Sequence, residues 1–174
     1  MLKREKPLRK AVEALYFTRA LRDRVNRIYS RVEERKNELT KRMVNLESMG
    51  EKYLAKRYAE EIGRLNELLK RLATMQLVLE KIDLAIQHAV VMRDLVNLSA
   101  ELNQLLRDLS RLPETRIPDI SVMFAELEES VRELSELVSS RSLDTSYSYT
   151  PSSSEVVKIL EEAKELLRKN LEVG

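Results

Sequence analysis

Apolar positions along the first half of the chain recur at helical spacing. Ala14, Phe17, Leu21, Val25, Ile28, Val32, Leu39, Met43 and Leu46 follow one another at intervals of three, four or seven, the period of one face of an α-helix. Pro7 suits a first helical turn, so the pattern predicts a helix starting at Pro7 or Leu8. Nothing interrupts it before Gly50, which stands where a helix C-cap is expected. Such an element is roughly 60 Å long at 1.5 Å per residue.

The stripe resumes after Glu51 or Lys52. Leu68, Leu72, Met75, Leu79, Ile82, Ile86 and Ala89 share one face. Leu95, Leu98, Leu102, Leu105, Leu109 and Leu112 then alternate strictly by three and four, a seam made to pack along another helix. The two stripes differ in phase, which predicts a bend near residues 88–95, and Pro113 ends the run. One glycine between two long helices predicts a long antiparallel hairpin over about residues 8–112. Pro113 and Pro118 bound a connector, and Ile120, Met123, Leu127, Val131, Leu134 and Val138 mark a third amphipathic helix over about 118–138. Residues 139–153 are rich in Ser and Thr and lack an apolar period, as a flexible linker does. A short helix follows from about Ser154, a suitable N-cap, to about Asn170. The expected fold is all-α: a core over 1–138, a linker, and a terminal helix within 154–174.

Composition agrees and removes whole classes of chemistry. Three Gly and four Pro in 174 residues leave little turn material, and 34% of residues are charged. With no cysteine, disulfides, thiolate nucleophiles and thiolate metal sites are out of reach. His88 is the single histidine; it packs or is solvated on the second helix, since zinc and di-iron sites both need more nitrogen or sulfur ligands. No Gly-rich phosphate loop or nucleophile elbow is present. These readings predict no enzyme and no cofactor. The opening MLKREKPLRK lacks the apolar stretch of a secretory signal, and no segment approaches the ~18 apolar residues of a membrane span.

Charge is unevenly placed. Residues 1–74 hold 20 Lys/Arg and 11 Asp/Glu, while residues 75–174 hold 11 and 18. Arg24, Arg27, Arg31, Arg35 and Arg42 fall within about a quarter-turn of the first helix, and Lys3, Arg4, Lys6, Arg9 and Lys10 cluster ahead of them. This basic set fits an anionic membrane surface, against the plainer reading of a solvated helix face. Glu126, Glu129, Glu133 and Glu136 form an acidic face on the third helix, able to fold back on the basic hairpin as an autoinhibitory contact. The terminal helix presents Ile159, Leu160, Ala163, Leu166 and Leu167, either for a partner's groove or for packing on its own chain.

AKRYAEEIGR at 55–64, opening the second helix after the glycine-marked tip, resembles the ESCRT-III pattern at that point, as does the run through Leu79-Glu80-Lys81-Ile82 to Ala89. The order of elements is similar too: a basic first helix, a longer second helix, a Pro-marked break, and an acidic helix opening near Pro118-Asp119-Ile120-Ser121-Val122-Met123-Phe124. The resemblance covers roughly residues 8–138 and looks closest to the archaeal Cdv-type proteins of cell division. It implies an ESCRT-III-like cytoplasmic, peripherally membrane-bound subunit that polymerises with itself and with paralogous subunits to constrict or cut membranes. It also implies disassembly by an AAA ATPase whose MIT domain binds the tail. The tail departs from that motif, with Ala163-Lys164 where Arg-Leu is usual and Val157 in place of a leading acid. Two other classes stay open: a passive coiled-coil scaffold, and an electrostatic, nonspecific nucleic-acid binder whose basic face lacks stacking aromatics.

Overall fold

The computed structural model describes residues 2–142 and 153–173, with side chains over 6–139 and 157–169. Five helices make up these residues: α1 (Leu2–Ser48), α2 (Lys52–Met92), α3 (Leu95–Ser110), α4 (Pro118–Ser142) and α5 (Ser153–Val173), with a 3-10 turn at Pro113–Arg116. The described part is all-helical, and α1 and α2 form the long antiparallel hairpin.

Helix α1 begins at Leu2, ahead of the expected Pro7. Proline there removes one hydrogen bond, the one to the Lys3 carbonyl, and the Leu, Lys, Arg and Glu before it are good helix formers. At the tip, Gly50 takes φ 81°. Its N–H donates to the Glu47 carbonyl (3.1 Å) and that of Glu51 to the Leu46 carbonyl (2.9 Å), the paired bonds of a Schellman motif.

The expected bend near 88–95 is a full reversal, so the second long element is two helices and the hairpin ends at Met92. Arg93 occupies the left-handed region (φ 59°, ψ 33°) and the Asp94 N–H donates to the Ala89 carbonyl. This repeats the wider of the two bonds at Gly50, with an arginine in the glycine position. The Asp94 side chain then caps α3, accepting from the Asn97 N–H at 3.3 Å. Helix α3 runs back along α2, because Glu114 just beyond its end pairs with Arg71. Helix α4 reverses again and lies antiparallel to α1: Asp119 meets Arg24 at 3.8 Å and Glu133 meets Lys10. Helices α1 to α4 therefore form an up-down-up-down bundle. At its centre Leu15, Leu79, Ile86, Leu102, Leu109 and Leu127 are at most 1% exposed.

Only the first half of α1 and the second half of α2 belong to this bundle. Beyond Arg31 and Arg71 the hairpin continues alone to Gly50 as a two-helix arm about 30 Å long. Its seam is thin: Leu39, Ala55 and Leu69 are buried, and Val32, Met43, Leu46, Ile62 and Leu65 are half-buried. Helix α4 extends to Ser142, past the expected boundary at 138, so the first residues assigned to the linker are helical; 143–152 lie outside the described residues. Helix α5 spans slightly more than the expected 154–170.

Candidate interaction surfaces

The basic set predicted on α1 divides by position. Lys3 and Arg4 lie in the opening turns, their side chains outside the described residues. Lys6 and Arg9 are exposed. Lys10 is drawn into the bundle, where Glu13 (2.8 Å) and Glu133 hold its ammonium. Hydrogen bonds to Glu13, then to Glu133, raise its pKa above the ordinary lysine value.

Arg24 sits at the edge of the bundle beside Asp119. Arg27 pairs with Asp23 one turn away (3.0 Å) and Arg35 with Glu38 (3.9 Å). These are exposed, local pairs of the kind that contribute only ~0.2–1 kcal/mol and yield readily to salt. Arg31 and Arg42 are exposed on the arm and make no ion pair among the described residues. Four of the five arginines thus keep a surface position outside the packed core, and three of them lie on or at the root of the arm.

The acidic face of α4 meets the hairpin in part. Among the described residues, Glu133 is the one member of this face that pairs with α1. Glu129 and Glu136 grip Arg132 of their own helix, with Arg132 Nε donating to Glu129 at 3.1 Å and Nη1 to Glu136 at 2.6 Å. That hydrogen bond holds the Glu129 carboxyl below the usual carboxylate range. Glu126 is exposed. What attaches α4 to the hairpin is its apolar face, Ile120, Phe124, Leu127, Val131, Leu134 and Val138, all buried. Between α1 and α4 an open groove remains, with Phe17, Val122 and Ala125 as its apolar lining and Glu13, Glu126, Glu129 and Glu133 along it.

The five tail residues do not share one face. Ala163 is buried, Leu160 and Leu167 pack against the same core, and Ile159 is half-buried. Leu166 points outward at 48% exposure. In this conformation α5 packs on its own chain.

Three polar clusters went unread in the sequence. Arg19 Nε and Nη2 donate to the two carboxylate oxygens of Asp83 (3.0 and 3.4 Å), which Gln87 also contacts, and Arg19 Nη1 donates to the Leu167 carbonyl at 3.2 Å. One guanidinium thereby joins α1, α2 and α5. Arg71 and the buried Glu114 fix the end of α3 against α2, with Glu114 Oε2 left without a hydrogen-bond partner. Ser99, Asn103 and Ser135 link α3 to α4, the two hydroxyls 2.6 Å apart. A usable signal existed for the first: Asp83 follows Ile82 directly, at the edge of the buried stripe.

His88 is exposed on α2. Among the described residues no group of three or more His, Asp or Glu side chains is placed to hold a metal, and no helix is long and apolar enough to cross a membrane. Compared with protein-family models, curated proteins and solved structures, the chain matches none.

Proposed function

We propose that this chain is a non-enzymatic, ESCRT-III-like subunit that assembles on anionic membranes and takes part in their constriction or scission, in the manner of archaeal cell-division proteins. The observation that carries the reading is the projecting arm. A helical bundle with no further task has little use for a two-helix extension held by one thin seam, whereas a subunit that must reach neighbours and a surface does. Arg31, Arg35 and Arg42 lie along that extension, with Arg27 just behind its root.

Each cation near an anionic bilayer contributes about 1 kcal/mol, falling off within a Debye length. Four per copy bind weakly. Many copies joined side by side bind strongly, because each further contact is made at high effective concentration. Attachment and assembly are thereby coupled, and either one alone is poor. The bundle with α4 and α5 docked is the closed, storage form; a paralogous subunit or an ATPase domain that took the tail would have to lift α5 off Arg19 and Asp83 first.

The test is co-sedimentation with vesicles of phosphatidylserine and phosphatidylcholine, compared with phosphatidylcholine alone. Wild type pellets with the anionic vesicles only and is released by salt. Arg31→Glu/Arg42→Glu, on exposed positions that leave the fold intact, weakens pelleting by about tenfold or more, each reversal replacing one attraction by one repulsion. Equal pelleting with neutral vesicles, or a preference for duplex DNA at matched salt, sinks the proposal. A discrete dimer that ignores lipid would point to a scaffold instead.

A further inference from the structure

Two exposed surfaces of this molecule complement each other and cannot meet within one copy. The first is the arm tip. Met49 (73% exposed), Tyr53 (72%) and Leu54 (44%) stand uncovered around the Gly50 turn, with Lys52, Lys56 and Arg57 exposed beside them. Over residues 41–57 five Lys/Arg face two Glu. The second is the α1–α4 groove, where Phe17, Val122 and Ala125 offer apolar surface beside Glu126 and Glu129. One patch is apolar and basic; the other is apolar and acidic.

We infer that the tip of one copy docks in the α1–α4 groove of the next. The inference rests on the self-assembly reading above and names its contact. Geometry supplies the reason that the partner is a second copy. Helix α1 runs unbroken from Phe17 to the tip, so roughly 45 Å of rigid rod separates a tip from its own groove. Contact between unlike patches on two copies is heterologous, and it repeats: every added copy brings a new tip and a new groove. Such a contact generates a ring or an open filament, according to the rotation between neighbours.

Apolar contact supplies the attraction, while opposite charge sets register and approach. Arg31 at the root of the arm and Arg35 further along it lie outside both patches, and stay available to a surface while the patches are engaged. An autoinhibitory role for the same acidic face would give the opposite sign. If the acidic face of α4 were purely autoinhibitory, Glu126→Lys would promote assembly; as a groove residue, its reversal blocks assembly.

The chain has no cysteine, which permits a direct test by disulfide trapping on phosphatidylserine-containing vesicles and in solution. A Met49→Cys/Ala125→Cys variant, mildly oxidised, yields a covalent ladder. Met49→Cys mixed with Ala125→Cys yields covalent dimers and nothing larger, since each copy then carries one reactive end. Adding Glu126→Lys cuts the yield by about tenfold or more, as charge juxtaposition turns repulsive. Assembly that sediments normally without any 49–125 disulfide overturns this contact and leaves the assembly reading standing. Rising yield with Glu126→Lys also overturns it, in favour of autoinhibition. Loss of vesicle binding alone in a Tyr53→Ser/Lys56→Glu variant, with assembly intact, overturns it in favour of a lipid-facing tip. Absence of any wild-type assembly, in solution or on vesicles, sinks the underlying reading itself.

Discussion

Asp83→Ala lowers the stability of the bundle by about 3 kcal/mol, the cost of breaking a buried ion pair by removing one partner. The Arg19 and Asp83 side chains are 16% and 6% exposed. Both carboxylate oxygens are engaged by Arg19, so alanine leaves a guanidinium with one remaining acceptor, the Leu167 carbonyl, in a site water reaches poorly. Replacing both partners with apolar residues is a different perturbation. Arg19→Met/Asp83→Leu removes the desolvation cost along with the attraction, and its stability stays near that of wild type. Its effect falls on α5, which loses its polar tie to α1. Urea unfolding distinguishes the two variants, the midpoint moving only for the single one. Hydrogen exchange confined to α5 then rises for the double variant, which alone loses the Arg19 bond to the Leu167 carbonyl.

Leu102→Ala costs about 2–5 kcal/mol and affects α1 through α4 together. Leu102 is fully buried on α3, a helix held between α2 and α4, and its truncation leaves a cavity that rigid helices on both sides cannot fill. Leu39→Ala sits in the arm, at 3% exposure, and is expected to act locally. The arm has one thin seam and no third helix against it, so its opening need not unfold the bundle. In native-state hydrogen exchange, amides of 33–46 and 56–69 exchange through local opening, while those around Leu79 and Leu102 exchange through global unfolding. Leu102→Ala accelerates the slow set. Leu39→Ala accelerates the arm and leaves the slow set almost unchanged. A single exchange class spanning arm and bundle would contradict this two-tier stability.

Much of this architecture was legible in the order of apolar residues. The α1 stripe, the turn at Gly50 and the leucine seam from Leu95 to Leu112 all lie where periodicity puts them, because each depends on local spacing. The reversal at Arg93 was harder to read. Turns are recognised by Gly, Asn or Pro, and here an arginine adopts the left-handed conformation that L side chains disfavour by roughly 1–2 kcal/mol, with only the Asp94 cap to mark it. The start of α1 was misplaced for the opposite reason: Pro7 carries a strong start signal, yet one missing hydrogen bond near a helix end is tolerated.

The surfaces were less legible than the helices. A helical wheel places Glu126, Glu129, Glu133 and Glu136 on one face but cannot say what that face meets. Docking of α4 follows its apolar residues, and the acids divide among Lys10, Arg132 and the groove. Likewise the tail's hydrophobic positions predict amphipathicity, whereas Arg19, 148 residues before Leu167 in the chain, decides where the helix rests. Contacts between distant segments leave no periodic trace.

The same division governs function. On the proposed reading, helix faces give the materials of a polymer subunit, cations on one side and apolar patches on others, and the projecting arm gives a reason for them. Electron micrographs of the full chain on phosphatidylserine-containing vesicles test this most directly. Regular filaments or coated tubules on those vesicles, absent on neutral ones, are the predicted result. Smooth anionic vesicles beside dispersed, discrete particles, under salt conditions where the exposed arginines are unscreened, would contradict it.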